Sequence, residues 1–268
     1  MPDTDELLVD LTEGVLTLTL NRPESRNAIS PILRDTLVEQ VRRARADDDV
    51  RCVLIAGNGG AFCSGMDLSA STLTNAGQQG FNPRLTEQAL RTGVQAFITE
   101  LWELDKPTVA AVDGAAVGPG AHLALACDFV LVQPASKFLW SFAKIGLAAD
   151  AGGAWILPRL VGLPRAKAML MLGEGSVGEQ AVSDGLAYRC VAADSLLDEA
   201  RALATRLAAG PTRALGLTKQ LLNTASETHL AMSLRLEGHA QGLVGASQDL
   251  AEGLSAMREK RDPKFTGA

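Results

Sequence analysis

Residues Asp113 to Asp128 read DGAAVGPGAHLALACD. An apolar, largely β-branched run, Thr108-Val109-Ala110-Ala111-Val112, precedes them and predicts a buried strand. A glycine-rich turn from Gly114 to Gly120 comes next, then a helix of small residues from Ala121 to Cys127, then a second strand from Phe129 to Val132. Strand, tight turn, helix and strand in so short a stretch point to a layered α/β core. Gly114, Gly118 and Gly120 let a backbone turn sharply or approach another group closely. A helix N-terminus carries unpaired N–H groups and positive potential, which suits a developing negative charge. His122 lies in the first turn of that helix. On this stretch alone, a packing turn with a hydrogen-bonded histidine is the favoured reading.

The rest of the chain supports the same class. Leu7–Val9 and Val15–Leu20 read as a hairpin about Glu13-Gly14, with period-two alternation in VLTLTL. Ser30 caps a helix with Pro31 in its first position, running to about Ala46. Cys52–Ala56 is a short buried strand. A helix is expected over 85–104, and Asp105-Lys106-Pro107 stops it. Residues 72–83, rich in Asn, Gln and Gly, read as mobile. Phe138–Ile145 leads into a second glycine-rich turn, 146–153. Helices follow near 154–160, 164–172 and 178–184, and the last strand is Leu186–Val191. From Ser195 on the pattern is helical: 195–208, 212–224, 227–245 and 248–260. The expected organisation is an α/β core over 1–194 and a helical C-terminal region over 195–268.

Charge and cysteine usage exclude several classes. The 268-residue chain carries a net charge of −6, which disfavours a nucleic-acid surface or a basic membrane patch. No apolar run reaches the length of a spanning helix. The acidic start, MPDTDELLVD, lacks the basic and apolar regions of a signal peptide. Cys52, Cys63, Cys127 and Cys190 are widely spaced, as for buried thiols in a reducing compartment and not for a metal cluster. A cytoplasmic protein is expected, with no nucleic-acid or membrane partner.

Three glycine-bearing loops follow extended runs: 57–67, 113–121 and 146–153. Sites in α/β folds form at such loops. No phosphate-binding GxxxxGK[ST] or GxGxxG is present. Ser64 and Cys63 have no GxSxG context and read as small loop-filling residues. His229 and His239 lack metal-ligand spacing. Trp140, Phe142 and Trp155 read as core or pocket wall. Asp150 stands in an apolar loop, LAADAG, with no basic neighbour in sequence. Desolvation would raise its pKa and suit it to acid–base work. The competing reading, equally weighted, is a helix N-cap serving Gly152 and Gly153.

Together these pieces resemble the crotonase superfamily, the enoyl-CoA hydratase/isomerase family. The matching segments are NRPESRNAIS (21–30), AFCSGMDL (61–68), KPTVAAVDGAAVGPGAHLALACD (106–128), GLAADAGGAWILPRLVG (146–162) and SQDLAEGLSAMREKRDPKF (247–265). The resemblance implies a spiral of ββα units with a C-terminal helical trimerisation region, assembling as a homotrimer or a dimer of trimers. It implies a coenzyme A thioester as substrate, with no permanently bound cofactor and no metal, and a role in fatty acid metabolism. It implies an oxyanion hole from the backbone N–H groups of Met66 and residue 119. It places coenzyme A near Arg26, Ala28, Asp67 and Leu68, with Lys260 and Phe265 of a neighbouring subunit contributing. Gly65, Gly118 and Phe142 complete the implied substrate contacts.

The departures matter as much. Hydratases of this family use two glutamates, and His122 and Phe142 stand at those positions. Residue 119 is Pro119, which has no N–H, so Gly120 is the substitute donor. Asp150 matches an aspartate that isomerases of the family carry. The expected activity is therefore isomerase-type proton transfer by Asp150 with His122 in support, in place of hydration. The alternatives are a non-catalytic acyl-CoA binder and a thioester or carbon–carbon hydrolase using His122 with Asp150.

Overall fold

The computed structural model describes residues 5–70 and 82–268. The expectation of mobility over 72–83 falls almost entirely outside them. The chain opens with the antiparallel pair β1 (Leu7–Thr12) and β2 (Val15–Leu20). Helix α1 (Pro31–Ala46) follows; Ser30 Oγ accepts the Leu33 N–H at 3.0 Å, and Pro31 fills the first position. Strand β3 (Cys52–Gly57) pairs parallel to β2. Helices α2 (Pro83–Thr92) and α3 (Val94–Trp102) replace the single helix expected over 85–104. They break at Gly93, where a Cβ would stand 2.6 Å from the Ala89 carbonyl oxygen and 2.8 Å from Arg34 Cδ.

The next segments repeat one pattern. Strand β4 (Thr108–Val112) leads to β5 (Ala115–Val117) and α4 (Pro119–Leu125). Strand β6 (Phe129–Val132) leads to β7 (Lys137–Leu139) and, after the long loop, α5 (Gly153–Val161). The first strand of each unit joins a six-stranded sheet and the second joins a three-stranded one. This is the expected spiral of ββα units. The turn predicted over 114–120 thus contains a short strand, because Ala115–Val117 pairs with Lys137–Leu139. Likewise only the first residues of the 138–145 run are extended; Ala143–Ile145 is a 3₁₀ turn. Helix α6 (Leu163–Lys167), strand β8 (Ser176–Val177), helix α7 (Glu179–Ser183) and edge strand β9 (Arg189–Cys190) complete the two sheets. Helices α8 (Leu196–Ala208), α9 (Thr212–Ala225), α10 (Leu230–Val244) and α11 (Gln248–Glu259) end the chain.

Period-two alternation assigns the large sheet's two faces. Val53, Ile55, Ala110, Val112, Val130 and Val132 enter the main core. Cys52, Leu54, Ala56, Val109, Ala111 and Leu131 face the other way, onto Leu196, Ala200, Leu203, Ala204 and Ala208 of α8. Helix α8 is therefore a layer of the core, and the division drawn between 194 and 195 does not separate two packed bodies. The later helices are tied down by part-buried polar contacts. Lys219 of α9 pairs with Asp128 at 3.0 Å. Arg51 donates to the Gly210 and Phe265 carbonyl oxygens and to Thr212 Oγ1. Among the described residues no helix is long and apolar enough to cross a membrane.

Candidate active site

A cavity of about 150 Å³ lies where the loops after successive core strands meet. Met66, Gly118, Pro119, Phe142, Leu147 and Asp150 line it. The loop that carries Met66 is stitched on both sides. Cys63 donates to the Ala115 carbonyl at 3.0 Å and accepts from the Val117 N–H at 2.9 Å. Ile29 donates to the Gly65 carbonyl at 2.8 Å and accepts from the Asp67 N–H at 3.1 Å. Alternation along this bridge turns the Met66 N–H away from Ile29. It has no acceptor among the described residues. A backbone donor is thereby left over in a cavity wall, held by the hydrogen bonds of both its neighbours.

The second donor expected beside it is missing. Pro119 opens α4 and has no N–H. Gly118, at φ 50°, is in a conformation that favours glycine, and its N–H is spent on the Leu139 carbonyl at 2.8 Å. The Gly120 N–H meets no protein acceptor among the described residues. Gly120 itself is one residue past the lining and packs on Cys63, where a Cβ would stand 2.5 Å from the carbonyl oxygen.

Asp150 is half-buried and reaches the cavity. Its Oδ1 is buried with no hydrogen-bond partner. Burial pushes its carboxyl up to about 6. The helix-cap reading does not hold: Gly152 occupies the N-cap of α5, and no side chain caps that helix. It is the backbone carbonyl of Asp150, not the carboxylate, that accepts the Gly153 N–H, at 3.0 Å. Two left-handed residues follow, Ala151 at φ 48° and Gly152 at φ 79°. For a buried alanine this is a strained conformation that the packing must hold. The strain presents the carboxylate to the cavity.

His122 takes a different place from the one expected. It is fully buried and does not line the cavity. Phe142 stacks on it, ring centroids 5.8 Å apart, and forms the wall instead. Trp140 Nε1–H donates to His122 Nε2 at 3.0 Å. Indole only donates, so Nε2 is the acceptor and the proton resides on Nδ1. Burial lowers the imidazole to about 4, and the Asp150 backbone pulls the other way. The ring is neutral and lies against Gly153, where a Cβ would be 2.1 Å from Cε1. His122 therefore braces the loop that carries Asp150 and is not placed to touch a ligand. Its anchor, Trp140, left no sequence signal beyond an apolar context.

The family model described as enoyl-CoA hydratase/isomerase matches residues 10–268. The chain belongs to the enoyl-CoA hydratase/isomerase family. It is 40% identical to the 1,2-epoxyphenylacetyl-CoA isomerase of Escherichia coli, over 97% of this chain and 98% of that one. It is 38% identical to a probable enoyl-CoA hydratase of Rhodobacter capsulatus, over 96% of each chain. A crystal structure of a putative enoyl-CoA hydratase from Streptomyces coelicolor superposes with a TM-score of 0.93 at 34% identity, covering 100% of this chain and 96% of that one.

In this enoyl-CoA hydratase/isomerase chain Asp67 and Leu68, of the loop residues expected near coenzyme A, line the cavity, whereas Arg26 and Ala28 do not. Arg26 is exposed, at φ 55°, and its carbonyl accepts the Ser64 N–H at 2.9 Å. Ala28 is buried and its carbonyl accepts from Arg22 Nη1 at 2.6 Å. Asp67 is held below the usual carboxylate range by the Ser69 hydroxyl and by Arg22. Leu68 is 49% exposed beside it. Gly65 sits at φ 94°, where a Cβ would meet the Val117 carbonyl at 2.9 Å. Lys260 and Phe265 are elsewhere. Lys260 is the exposed left-handed C-cap of α11, and Phe265 packs beside Gly253; neither lines the cavity of its own chain. His229 caps α10, accepting the Met232 N–H at 3.3 Å, and Trp155 meets Trp102 edge-on, away from the cavity.

Proposed function

We propose that the protein is an acyl-CoA isomerase in which Asp150 moves a proton between carbons of an enoyl thioester. The observation that carries this reading is the unpartnered carboxylate of Asp150 facing a cavity in which Phe142 fills one hydratase glutamate position, while His122, at the other, lies behind the wall. The thioester oxygen lies at the Met66 N–H. Asp150 takes a proton from one carbon of the acyl chain, and the resulting enolate is held by that N–H. The double bond shifts, and the same proton returns at another carbon. A phenyl ring can neither activate water nor protonate carbon, so addition of water has no second group to carry it. The Escherichia coli relative is named an isomerase, and so is a relative 33% identical in Streptococcus mutans, which supports the choice. The hydrolase reading loses ground because Trp140 occupies His122 Nε2 outside the cavity.

The test is incubation with 2-enoyl and 3-enoyl-CoAs of several chain lengths and chromatographic separation of the isomers. Interconversion without hydrated product is expected. Rapid hydration of crotonyl-CoA would refute the reading. The second reading, a non-catalytic acyl-CoA binder, is favoured by Pro119. Binding without any exchange of acyl protons would select it.

Pro119 provides a further test. Pro119→Gly restores an N–H at the cavity wall and is expected to raise the rate of α-proton exchange, by up to about 100-fold. Deuterium incorporation followed by mass spectrometry reads this directly. An unchanged rate would assign the second donor to Gly120.

The proposal includes work in the cytoplasm on a diffusible coenzyme A thioester, without a resident cofactor. It also includes self-association as a homotrimer or a dimer of trimers. Leu222, Leu230, Leu234 and Met257 of the C-terminal helices are more than half exposed in the single chain. Apolar surface of this kind marks an interface. Sedimentation at micromolar concentration is expected to show three or six chains, and a monomer would contradict this.

A further inference from the structure

The acyl cavity has a polar feature that the proton transfer does not use. Arg34, in the first turn of α1, and Thr86, on α2, both line it. Their surroundings on this wall are apolar: Ala89, Leu90 and Val94. Thr86 Oγ1 is buried and has no hydrogen-bond partner among the described residues. The Arg34 side chain is 22% exposed. It donates from Nε to Asp35 Oδ1 at 2.7 Å, and its two terminal nitrogens have no acceptor among the described residues. The guanidinium is wedged at the break between α2 and α3, its Nη1 3.0 Å from where a Gly93 Cβ would be. Asp35 is 65% exposed, so solvent screens the charge it offers in return.

A buried hydroxyl and an arginine with unused donors in an apolar wall call for an acceptor from the ligand. A wholly hydrocarbon chain would leave both unpaired. Arginine presents its terminal N–H groups as a fork that matches a carboxylate, and a hydroxyl supplies one more donor. We propose that Arg34 and Thr86 recognise a carboxylate carried by the acyl chain, so that the protein selects thioesters of dicarboxylic acids. This deepens the isomerase reading and rests on its placement of the acyl group in this cavity. The phosphates of coenzyme A offer the same oxygen-anion chemistry, and the experiment separates the two sources.

Calorimetry needs no turnover, so it tests the proposal whatever reaction the site performs. The probes are free coenzyme A, hexanoyl-CoA, the half-thioesters of four-, five-, six- and eight-carbon diacids, and their methyl esters. At one diacid length or more, binding is expected to be about tenfold tighter than for hexanoyl-CoA and for the matching methyl ester. Arg34→Met is expected to remove that preference while leaving free coenzyme A affinity unchanged, and Thr86→Val, close in shape, to reduce it. Equal affinity for diacid, ester and hydrocarbon thioesters in the parent protein would overturn the proposal, with no variant required. So would an Arg34→Met loss shared equally by free coenzyme A, which would assign Arg34 to the phosphates. If no acyl thioester binds more tightly than free coenzyme A, it is the acyl cavity itself that has been misassigned.

Discussion

Asp150→Asn is expected to abolish α-proton exchange while making the protein harder to unfold. The loss in rate should be about 100- to 10,000-fold, the usual contribution of a positioned base. Affinity for a saturated acyl-CoA should change little, because the amide keeps the shape of the carboxylate. The gain in stability follows from the raised pKa. Asp150 titrates near 6 in the folded chain, above its ordinary value, so folding disfavours its ionised form. The contribution of its protonated form is complete below the unfolded pKa, near 4, and is lost as pH rises through 6. At pH 7 the ionised carboxylate therefore costs stability, by up to about 3 kcal/mol for a shift from 3.8 to about 6. Asparagine removes that cost, so the melting temperature at pH 7 should rise and the difference should shrink towards pH 4. The exchange rate of the parent should fall tenfold per unit below pH 6 and level off above it. Parent-like exchange in Asp150→Asn would end the proton-transfer reading.

Gly153→Ala is expected to destabilise the fold by about 3 kcal/mol, at the upper end of ordinary overpacking. The added Cβ would stand 2.1 Å from Cε1 and 2.2 Å from Nε2 of His122, and neither partner can yield. The imidazole is hemmed in by Phe142 and anchored by Trp140. His122→Ala alone should also destabilise, because it leaves a cavity and strands a buried indole N–H. The double variant should be more stable than the sum of the two losses predicts, since the new methyl group occupies space that the ring has left. Urea midpoints of the four proteins measure the coupling. Additive losses, or a Gly153→Ala protein as stable as the parent, would show that the loop shifts freely around His122. Exchange rates in the same series report whether the brace matters for Asp150: His122→Ala should lower the rate, though less than Asp150→Asn.

The spiral core was readable in the sequence because its signals are local. Period-two alternation in VLTLTL, the β-branched runs at 52–56 and 108–112, and Ser30-Pro31 each act within a few residues, and the structure keeps them. The short strands at 115–117 and 176–177 were not readable. Each owes its conformation to pairing with Lys137–Leu139, and nothing in its own residues distinguishes it from a turn. Gly93 does not stand out inside a helical pattern, because a Cβ there would meet both the Ala89 carbonyl of its own helix and Arg34 of α1, and the second contact is not local. The site divides in the same way. Met66, Pro119, Phe142 and Asp150 were placed by motif, and they do meet at one cavity. His122 is legible as a neighbour of the site, in support of Asp150, but not as a residue that backs the cavity wall. Whether a histidine faces a ligand or backs its wall depends on Trp140 and Phe142, and no spacing rule carries that information. Arg34 and Thr86 each look like an ordinary helix-surface residue in sequence, and only their meeting at one cavity wall reveals them.

The pairing of the large sheet with α8 bears on how the chain is made. Six strands are in place once β9, at Arg189–Cys190, has been added, yet one face of their sheet still lacks its cover. Leu54, Val109, Ala111 and Leu131 point from that face towards residues not yet translated. A nascent chain leaving the ribosome thus carries a finished sheet with a bare side until Ala208 has emerged. Arg51 waits longer still, since one of its acceptors is the carbonyl of Phe265. A chain released at residue 194 should therefore collapse without a stable face and be a ready substrate for chaperones and proteases. A helix translated after every strand of the large sheet supplies that sheet's second face, so the strands must wait for their cover.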